Sequence, residues 1–140
     1  MYYKIENDFL TCEIDDMGAQ LHSLVLKENA KEYIWQGNPD IWYGQAPVLF
    51  PIIGQLINDK YFYNGTEYTM PKHGIVRKKP FKLTESTVDS LTFVQTDDEE
   101  SLAIYPYKFE LKIKFTLTDN GLIVDHTVTN NSNDTMYYSF

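Results

Sequence analysis

The stretch Tyr107-Lys-Phe-Glu-Leu-Lys-Ile-Lys-Phe-Thr-Leu-Thr118 decides the fold class, because apolar and polar side chains alternate along its whole length. Because successive side chains of an extended strand point to opposite faces, this alternation puts every apolar side chain on one face. The turn Asp119-Asn120-Gly121 follows, and the chain returns through the similar run Leu122–Thr129. We therefore predict a long hairpin with one buried face.

Shorter runs of the same kind predict strands through most of the chain. Asn64-Gly65 lies between two aromatic runs within Tyr61–Thr69, which is the strongest short hairpin pattern in the sequence. Further strands are predicted at Tyr2–Glu6, Phe9–Ile14, Ala19–Leu26, Glu32–Gln36, Phe81–Thr84, Leu91–Thr96 and Thr135–Phe140. Eleven tyrosines and eight phenylalanines suit half-buried pleated surfaces, so we predict an all-β chain without a long helix.

Length and charge narrow the possible roles. At 140 residues the chain fits a single domain, residues 1–140, with a sizeable core. A formal net charge of −8 argues against a nucleic-acid partner, which clustered Lys and Arg would bind. The sequence has no apolar run long enough to span a membrane and no signal peptide at Met1, so we expect a cytoplasmic protein without a membrane partner.

Metal and cofactor patterns are absent from the sequence. The single cysteine, Cys12, excludes an internal disulfide and a thiolate zinc cluster. The acidic run Asp97–Glu100 lacks the alternating spacing of a calcium loop, so we predict a solvated loop there. Because no glycine-rich phosphate loop, serine elbow or paired-histidine pattern occurs, we expect neither a metal nor an organic cofactor.

The alternation of apolar and polar residues that predicts strands is interrupted between residues 46 and 77. Pro47 and Pro51 prevent a central strand across Ala46–Gln55, yet that segment is too apolar for solvent. His73-Gly-Ile-Val-Arg77 follows the exit of the aromatic hairpin and contains the only arginine. Irregular, partly buried segments of this kind often carry binding sites, so we expect any chemistry to lie here.

Four residues are candidates for binding a polyhydroxylated ligand. His73 can donate or accept a proton, Gln55 is a neutral two-way hydrogen bonder, Arg77 can anchor an anion or a hydroxyl, and Trp42 offers a stacking surface. The alternatives are structural: His73 as an ordinary loop residue and Arg77 as a salt-bridge partner. The other two histidines are predicted to lie on strands, His22 as a solvated residue and His126 as a satisfied, partly buried one.

An ordered set of motifs resembles the aldose 1-epimerase (galactose mutarotase) family, especially its LacX-like branch. The motifs span nearly the whole chain: Asn38-Pro-Asp-Ile-Trp42, Ala46-Pro-Val-Leu-Phe-Pro-Ile-Ile-Gly54, Tyr61–Tyr68, His73-Gly-Ile-Val-Arg77 and Tyr105-Pro-Tyr-Lys-Phe109. The resemblance implies an antiparallel β-sandwich, often called a supersandwich, and interconversion of the α and β anomers of an aldose. It implies a small sugar as substrate and no metal or nucleotide.

The resemblance also assigns expected roles to individual residues. His73 matches a histidine that contacts the sugar near its ring oxygen, as a supporting catalytic and substrate-binding residue. Arg77 matches an arginine of the LacX-like and hexose-phosphate branches. Gln55 falls where many mutarotases carry a substrate-binding arginine, and this departure puts plain galactose in doubt as the substrate.

Family members are about twice this length, and the resemblance places their principal histidine and their glutamate base beyond the position of Phe140. We therefore expect an incomplete sandwich and a chain that is inactive alone. Two alternatives stay open: a non-catalytic carbohydrate-binding module and an inactive fragment. A final strand at Thr135–Phe140 would leave an exposed edge, from which we predict homo-oligomer formation.

Overall fold

The computed structural model describes all residues from Met1 to Phe140, with ten strands and one short helix. The strands are β1 (Tyr2–Glu6), β2 (Leu10–Asp15), β3 (Gln20–Leu26), β4 (Lys31–Glu32), β5 (Lys60–Tyr63), β6 (Thr66–Thr69), β7 (Lys82–Ser86), β8 (Ser90–Thr96), β9 (Phe109–Thr118) and β10 (Gly121–Asn130). The helix α1 spans Glu99–Ile104, and single 3₁₀ turns lie at Ile57–Asp59 and Val76–Lys78.

The strands form two four-stranded antiparallel sheets and a separate hairpin. The first sheet has the order β1-β2-β3-β4 and the second the order β10-β9-β8-β7, while β5 and β6 pair with each other. Neighbours in the two four-stranded sheets are also neighbouring strands in sequence, joined by short turns except between β8 and β9, where the connection contains α1. The all-β, antiparallel architecture predicted from the alternation is confirmed.

One hydrophobic core joins the two sheets into a sandwich. The buried residues come from β1 and β2 in the first sheet, from β8 and β9 in the second, and from the segments around Phe50 and Met70. The ring of Tyr3 on β1 meets the ring of Phe93 on β8 edge to face, with centroids 5.4 Å apart. Alternate residues of β9 are buried from Phe109 to Leu117, as the sequence predicts.

The aromatic hairpin is confirmed with its predicted turn. Asn64 and Gly65 both have positive φ values, 48° and 78°, and join β5 to β6 as a two-residue turn. Left-handed values at both central positions match the twist of the flanking strands, which explains the preference for Asn-Gly. The rings of Tyr61 and Tyr68 stack across the hairpin, with centroids 5.4 Å apart.

The predicted strand Glu32–Gln36 is wrong beyond its first residue, since β4 ends at Glu32. The Glu32 carboxylate accepts hydrogen bonds from the backbone N–H groups of Leu24 and Ile34, at 2.9 and 2.8 Å. A side chain therefore satisfies backbone donors that a longer strand would have paired with carbonyl groups.

The predicted loop at Asp97–Glu100 is also wrong, because this acidic run begins the helix α1. The Asp98 side chain accepts a hydrogen bond from the Ser101 N–H at 2.7 Å, and the Ser101 hydroxyl accepts one from the Asp98 N–H at 2.8 Å. This reciprocal cap satisfies two donors that a helix start leaves free. Negative charge in the first turn also suits the helix dipole.

The segment Thr135–Phe140 is not a strand, so that prediction is wrong as well. Separate hydrogen bonds hold this segment in place. Ser139 N–H donates to the Pro51 carbonyl at 2.9 Å, and the Tyr105 hydroxyl donates to the Tyr137 carbonyl at 2.8 Å. No strand ladder forms at these residues, and homo-oligomer formation stays a prediction.

The chain has no helix that could cross a lipid bilayer, since α1 has only six residues.

Candidate functional site

The two halves of the irregular region, Ala46–Gln55 and His73–Arg77, come together around Phe50. Ile75 N–H donates to the Phe50 carbonyl at 2.8 Å, and Phe50 forms an isolated parallel bridge with Gly74. Phe50 itself is fully buried in the core. The bridge therefore fixes the His73 loop on a rigid base, as a binding residue requires.

His73 is held by two hydrogen bonds to the segment that follows Pro51. Its backbone N–H donates to the Gly54 carbonyl at 2.8 Å, and its ring Nδ1 lies 2.5 Å from the Ile53 carbonyl oxygen. The residue has a left-handed φ of 70°, an uncommon value for a residue other than glycine. Backbone values of this kind concentrate at functional sites.

The bond to Ile53 determines the protonation pattern of the His73 ring. A carbonyl oxygen only accepts hydrogen bonds, so Nδ1 must carry the hydrogen. In the neutral imidazole, Nε2 is then the unprotonated nitrogen, and in the imidazolium it is a donor. The half-buried ring has no other protein partner, so Nε2 is free to exchange a proton with a ligand.

Gln55 lies next to the carbonyl groups that hold His73, and its side chain is exposed. Its Nε2 donates to the Asp59 carboxylate at 2.8 Å, which leaves the amide oxygen and the second amide N–H available to a ligand. Sequence reasoning missed Asp59 because the two residues are connected by a turn in which both Asn58 and Asp59 have positive φ. The adjacent Asn58-Asp59 pair is the one sequence signal for such a turn.

Arg77 lies in a shallow groove of about 260 Å³ whose lining includes three lysines but not His73. No carboxylate lies within 4.0 Å of the Arg77 guanidinium, whereas neighbouring Lys79 is paired with Asp98 and Glu100. The salt-bridge alternative for Arg77 therefore fails. The guanidinium is free to meet an anion or a hydroxyl, but the His73 ring does not line its groove.

Trp42 is not brought to the other candidates. It lies on a loop whose conformation is fixed by the Trp35 indole N–H, which donates to the Trp42 carbonyl at 2.8 Å. Gln45 fixes the same loop through a bond to His22 Nδ1 at 2.7 Å, so His22 is engaged rather than solvated as predicted. Trp42 shares no hydrogen bond and no aromatic contact with Gln55, His73 or Arg77.

His126 occupies a different environment from the one predicted. It lines an apolar groove of about 380 Å³ together with Ile53, Val124 and Phe140. Its ring packs against Phe140 with centroids 4.6 Å apart and has no hydrogen-bond partner in the chain, so it is not the satisfied residue predicted from the strand pattern. Burial of the ring lowers the pKa of His126 below its ordinary value, with a smaller opposing effect from Asp125.

Two solved structures with this fold are described as galactose mutarotase-related proteins. A galactose mutarotase related enzyme from Lactobacillus acidophilus is 41% identical, with a TM-score of 0.94 over 97% of this chain and 45% of its own. A galactose mutarotase-like protein from Lactobacillus casei is 36% identical, with a TM-score of 0.94 over 97% of this chain and 46% of its own.

The family model described as aldose 1-epimerase matches residues 1–140, and the chain belongs to that family. Protein LacX, encoded on a plasmid of Lactococcus lactis, is 39% identical over a 135-position alignment that covers 93% of this chain and 45% of LacX. The chain thus spans about half the length of the relatives it matches. The resemblance to the LacX-like branch, and to the first half of its members, is confirmed.

Proposed function

We propose that this chain supplies part of the sugar-binding wall of an aldose 1-epimerase, which interconverts the α and β anomers of a sugar by acid–base ring opening. The observation that carries the proposal is the His73 ring, which is fixed through Nδ1 to the Ile53 carbonyl and keeps Nε2 free. An imidazole held in one orientation, with one nitrogen open, suits proton exchange with a sugar ring oxygen.

The other candidate residues contribute recognition in this proposal. The Gln55 amide oxygen accepts a hydrogen bond from a sugar hydroxyl, while the bond to Asp59 fixes the orientation of the amide. The unpaired Arg77 guanidinium binds a hydroxyl or an acidic substituent, and Trp42 offers an apolar ring face. Neither Arg77 nor Trp42 shares a hydrogen bond with His73, and the His73 ring does not line the Arg77 groove, so their participation requires a substrate that contacts each of them separately.

General acid–base catalysis requires a second titratable group opposite His73. No carboxylate of the chain forms an ion pair or hydrogen bond with the His73 ring. We therefore place the second group in the part of the relatives that this chain does not cover.

The absence of an acid–base partner for His73 within this chain also favours one other function. A carbohydrate-binding module that holds a sugar without converting it needs hydrogen bonds and a rigid site but no acid–base pair. The same Gln55 and His73 geometry supports that role.

A chimera separates the two functions. This chain is joined to the part of the Lactobacillus acidophilus enzyme that the match leaves uncovered, and anomer interconversion is measured by polarimetry and NMR with galactose, glucose and their phosphates. Epimerase function predicts a rate above buffer that falls by about 10²-fold or more in His73→Ala. His126→Ala is the matched control, because the His126 ring contacts Phe140 and none of the four candidate residues.

The outcomes are distinct. Sugar binding to the chimera without any acceleration favours the binding module. Neither binding nor acceleration with any of these sugars, in a folded chimera, rejects both functions.

A further inference from the structure

The turn that joins β2 to β3 packs against the segment that carries Arg77. Gly18 N–H donates to the Lys79 carbonyl at 2.8 Å, and Phe81 N–H donates to the Asp16 carbonyl at 2.8 Å. An isolated antiparallel bridge joins the same two segments between these bonds. All of these contacts are made by backbone groups, so the turn holds the main chain that follows Arg77 in one position.

The closest contact in this region is between Gly18 and Arg77. Gly18 is buried and has a φ of +70°, and a Cβ at position 18 would lie 2.8 Å from the Arg77 carbonyl oxygen and 3.0 Å from its Cα. Side chains rarely adopt that φ, and real Cβ atoms do not approach a backbone so closely. The Arg77 backbone can therefore lie where it does only because residue 18 has no side chain.

The chain is also fixed on the other side of Arg77. Val76 is fully buried, and Ile75 N–H donates to the Phe50 carbonyl at 2.8 Å. Arg77 lies within a single 3₁₀ turn that is closed by the bond from Lys79 N–H to the Val76 carbonyl at 3.0 Å. The Arg77 backbone is thus held from the core side and from the β2–β3 turn, and its side chain lines the shallow groove.

Positive charge is concentrated in this groove. Lys72 and Lys78 are exposed and line it together with Arg77, whereas the charge of Lys79 is compensated by Asp98 and Glu100. The chain as a whole has a formal net charge of −8. A local excess of cations on an acidic protein attracts an oxyanion to this place.

The position of the Arg77 backbone matters for such a ligand. A guanidinium binds an oxyanion through donors in a fixed planar arrangement, so its affinity depends on where the side chain starts and how it is aimed. A residue that is already held in the binding geometry also loses less freedom when the ligand arrives. A change at Gly18 should therefore weaken binding without altering any group that contacts the ligand.

We propose that Gly18 is a positioning residue for Arg77: it lets the β2–β3 turn hold the Arg77 backbone so that the guanidinium binds an oxyanion in the groove. This role rests on the proposed function, in which Arg77 binds an acidic substituent of the sugar. It adds a residue of the first sheet that contacts no ligand and still determines the affinity.

Arg77 is the only arginine of the chain, so its guanidinium gives a single set of NMR signals. The test adds inorganic phosphate to the ¹⁵N-labelled 140-residue chain at constant ionic strength, because added salt screens the attraction. We expect a saturable shift of the Arg77 Nε–H signal, and a dissociation constant at least fivefold higher in Gly18→Ala. Equal dissociation constants in the two chains overturn the proposal.

Gly65→Ala is the matched control for backbone strain. Gly65 has a φ of +78°, but a Cβ there meets nothing within 4 Å. We expect the phosphate affinity of this variant to stay within twofold of that of the unmodified chain. Because the signals followed are those of the folded chain, a loss of stability alone does not change the dissociation constant. Equal weakening in Gly65→Ala and Gly18→Ala overturns the proposal.

Two further variants keep the test decisive. If Gly18→Ala fails to fold, Gly18→Asn replaces it, since asparagine tolerates a positive φ but still has a Cβ facing the Arg77 carbonyl. Arg77→Gln should abolish the phosphate-induced shift of the Lys78 amide signal. An unchanged shift there means that the lysines alone bind the ion, which also overturns the proposal.

Failure of this role and failure of the proposed function give different results. An Arg77 signal that does not respond to phosphate rejects the role of Gly18, while the chimera still tests epimerase function through His73. A chimera without acceleration rejects epimerase function, while the phosphate titration of the 140-residue chain still decides the role of Gly18.

Discussion

Gly74 lies directly against the backbone of Phe50, so closely that a Cβ at position 74 would be 2.1 Å from the Phe50 carbonyl oxygen. Gly74 also has a φ of +75°, which side chains rarely adopt. The contact joins the His73 loop to the proline-framed segment, so the absence of a side chain at one residue positions the candidate histidine.

Replacing Gly74 with alanine should destabilise the chain by about 3 kcal/mol, because backbone strain adds to a clash with another backbone. Chemical denaturation measures the loss. Gly54→Ala is the control, since a Cβ there meets nothing within 4 Å. We expect that control to change the free energy of unfolding by less than about 0.5 kcal/mol, and an equal effect of both variants would show that the Phe50 contact is not responsible.

The Tyr105 hydroxyl holds the chain end through its bond to the Tyr137 carbonyl. Tyr105→Phe removes this bond and should lower the free energy of unfolding by about 1 kcal/mol. Hydrogen exchange at the Ser139 amide, which is bonded to Pro51, should become faster. Tyr138→Phe is the control, because the Tyr138 hydroxyl has no hydrogen-bond partner in the chain, and neither quantity should change in it.

Asp98 caps α1 and pairs with Lys79 at 2.6 Å. Asp98→Ala should cost about 1 kcal/mol through loss of the cap. Asp98→Asn keeps an acceptor for the Ser101 N–H and should retain most of that stability. A loss in Asp98→Asn as large as in Asp98→Ala would mean that the ion pair, rather than the cap, stabilises the helix.

Asp98 should also make the free energy of unfolding depend on pH. The Lys79 ammonium, helped by the Ser101 N–H, holds the pKa of Asp98 below its ordinary value of 3.8. Protonation of Asp98 is therefore harder in the folded chain, so its contribution is present above pH 3.8 and disappears as the pH falls through the lower folded value. Acid denaturation should show a smaller loss between pH 5 and 3 in Asp98→Asn than in the unmodified chain, and identical curves would contradict the linkage.

His126 should titrate below its ordinary pKa of 6.5, because its ring is partly desolvated where it packs against Phe140, although the residue as a whole is exposed. In the window between the folded pKa and 6.5 the unfolded chain binds more protons, so stability falls as the pH drops through this window. NMR titration of the ring measures the pKa directly. Phe140→Ala should move it back towards 6.5, whereas Phe62→Ala on the outer hairpin should not, and no movement in Phe140→Ala would assign the shift to another cause.

The sequence could predict those elements whose signals are local. The alternation in β9 reports which face is buried, because the period of a strand is two residues wherever the strand lies. Asn64-Gly65 predicts its own turn, because both residues tolerate positive φ. These features needed no knowledge of distant residues.

The sequence alone determined an all-β chain with an irregular segment around residues 46–77, and its motifs pointed to the epimerase family. Only the tertiary structure decided that Glu32 ends β4, that Asp98 begins a helix and that Thr135–Phe140 is not a strand. It also decided that His73 is fixed to Ile53, while Arg77 lines a groove without His73 and Trp42 is bonded to Trp35. The hydrogen bonds of Glu32 to Leu24, of His73 to Ile53 and of Ser139 to Pro51 join residues distant in sequence, which meet only after the chain has folded. The Asp98–Ser101 cap is local, but a strand period of two does not report it.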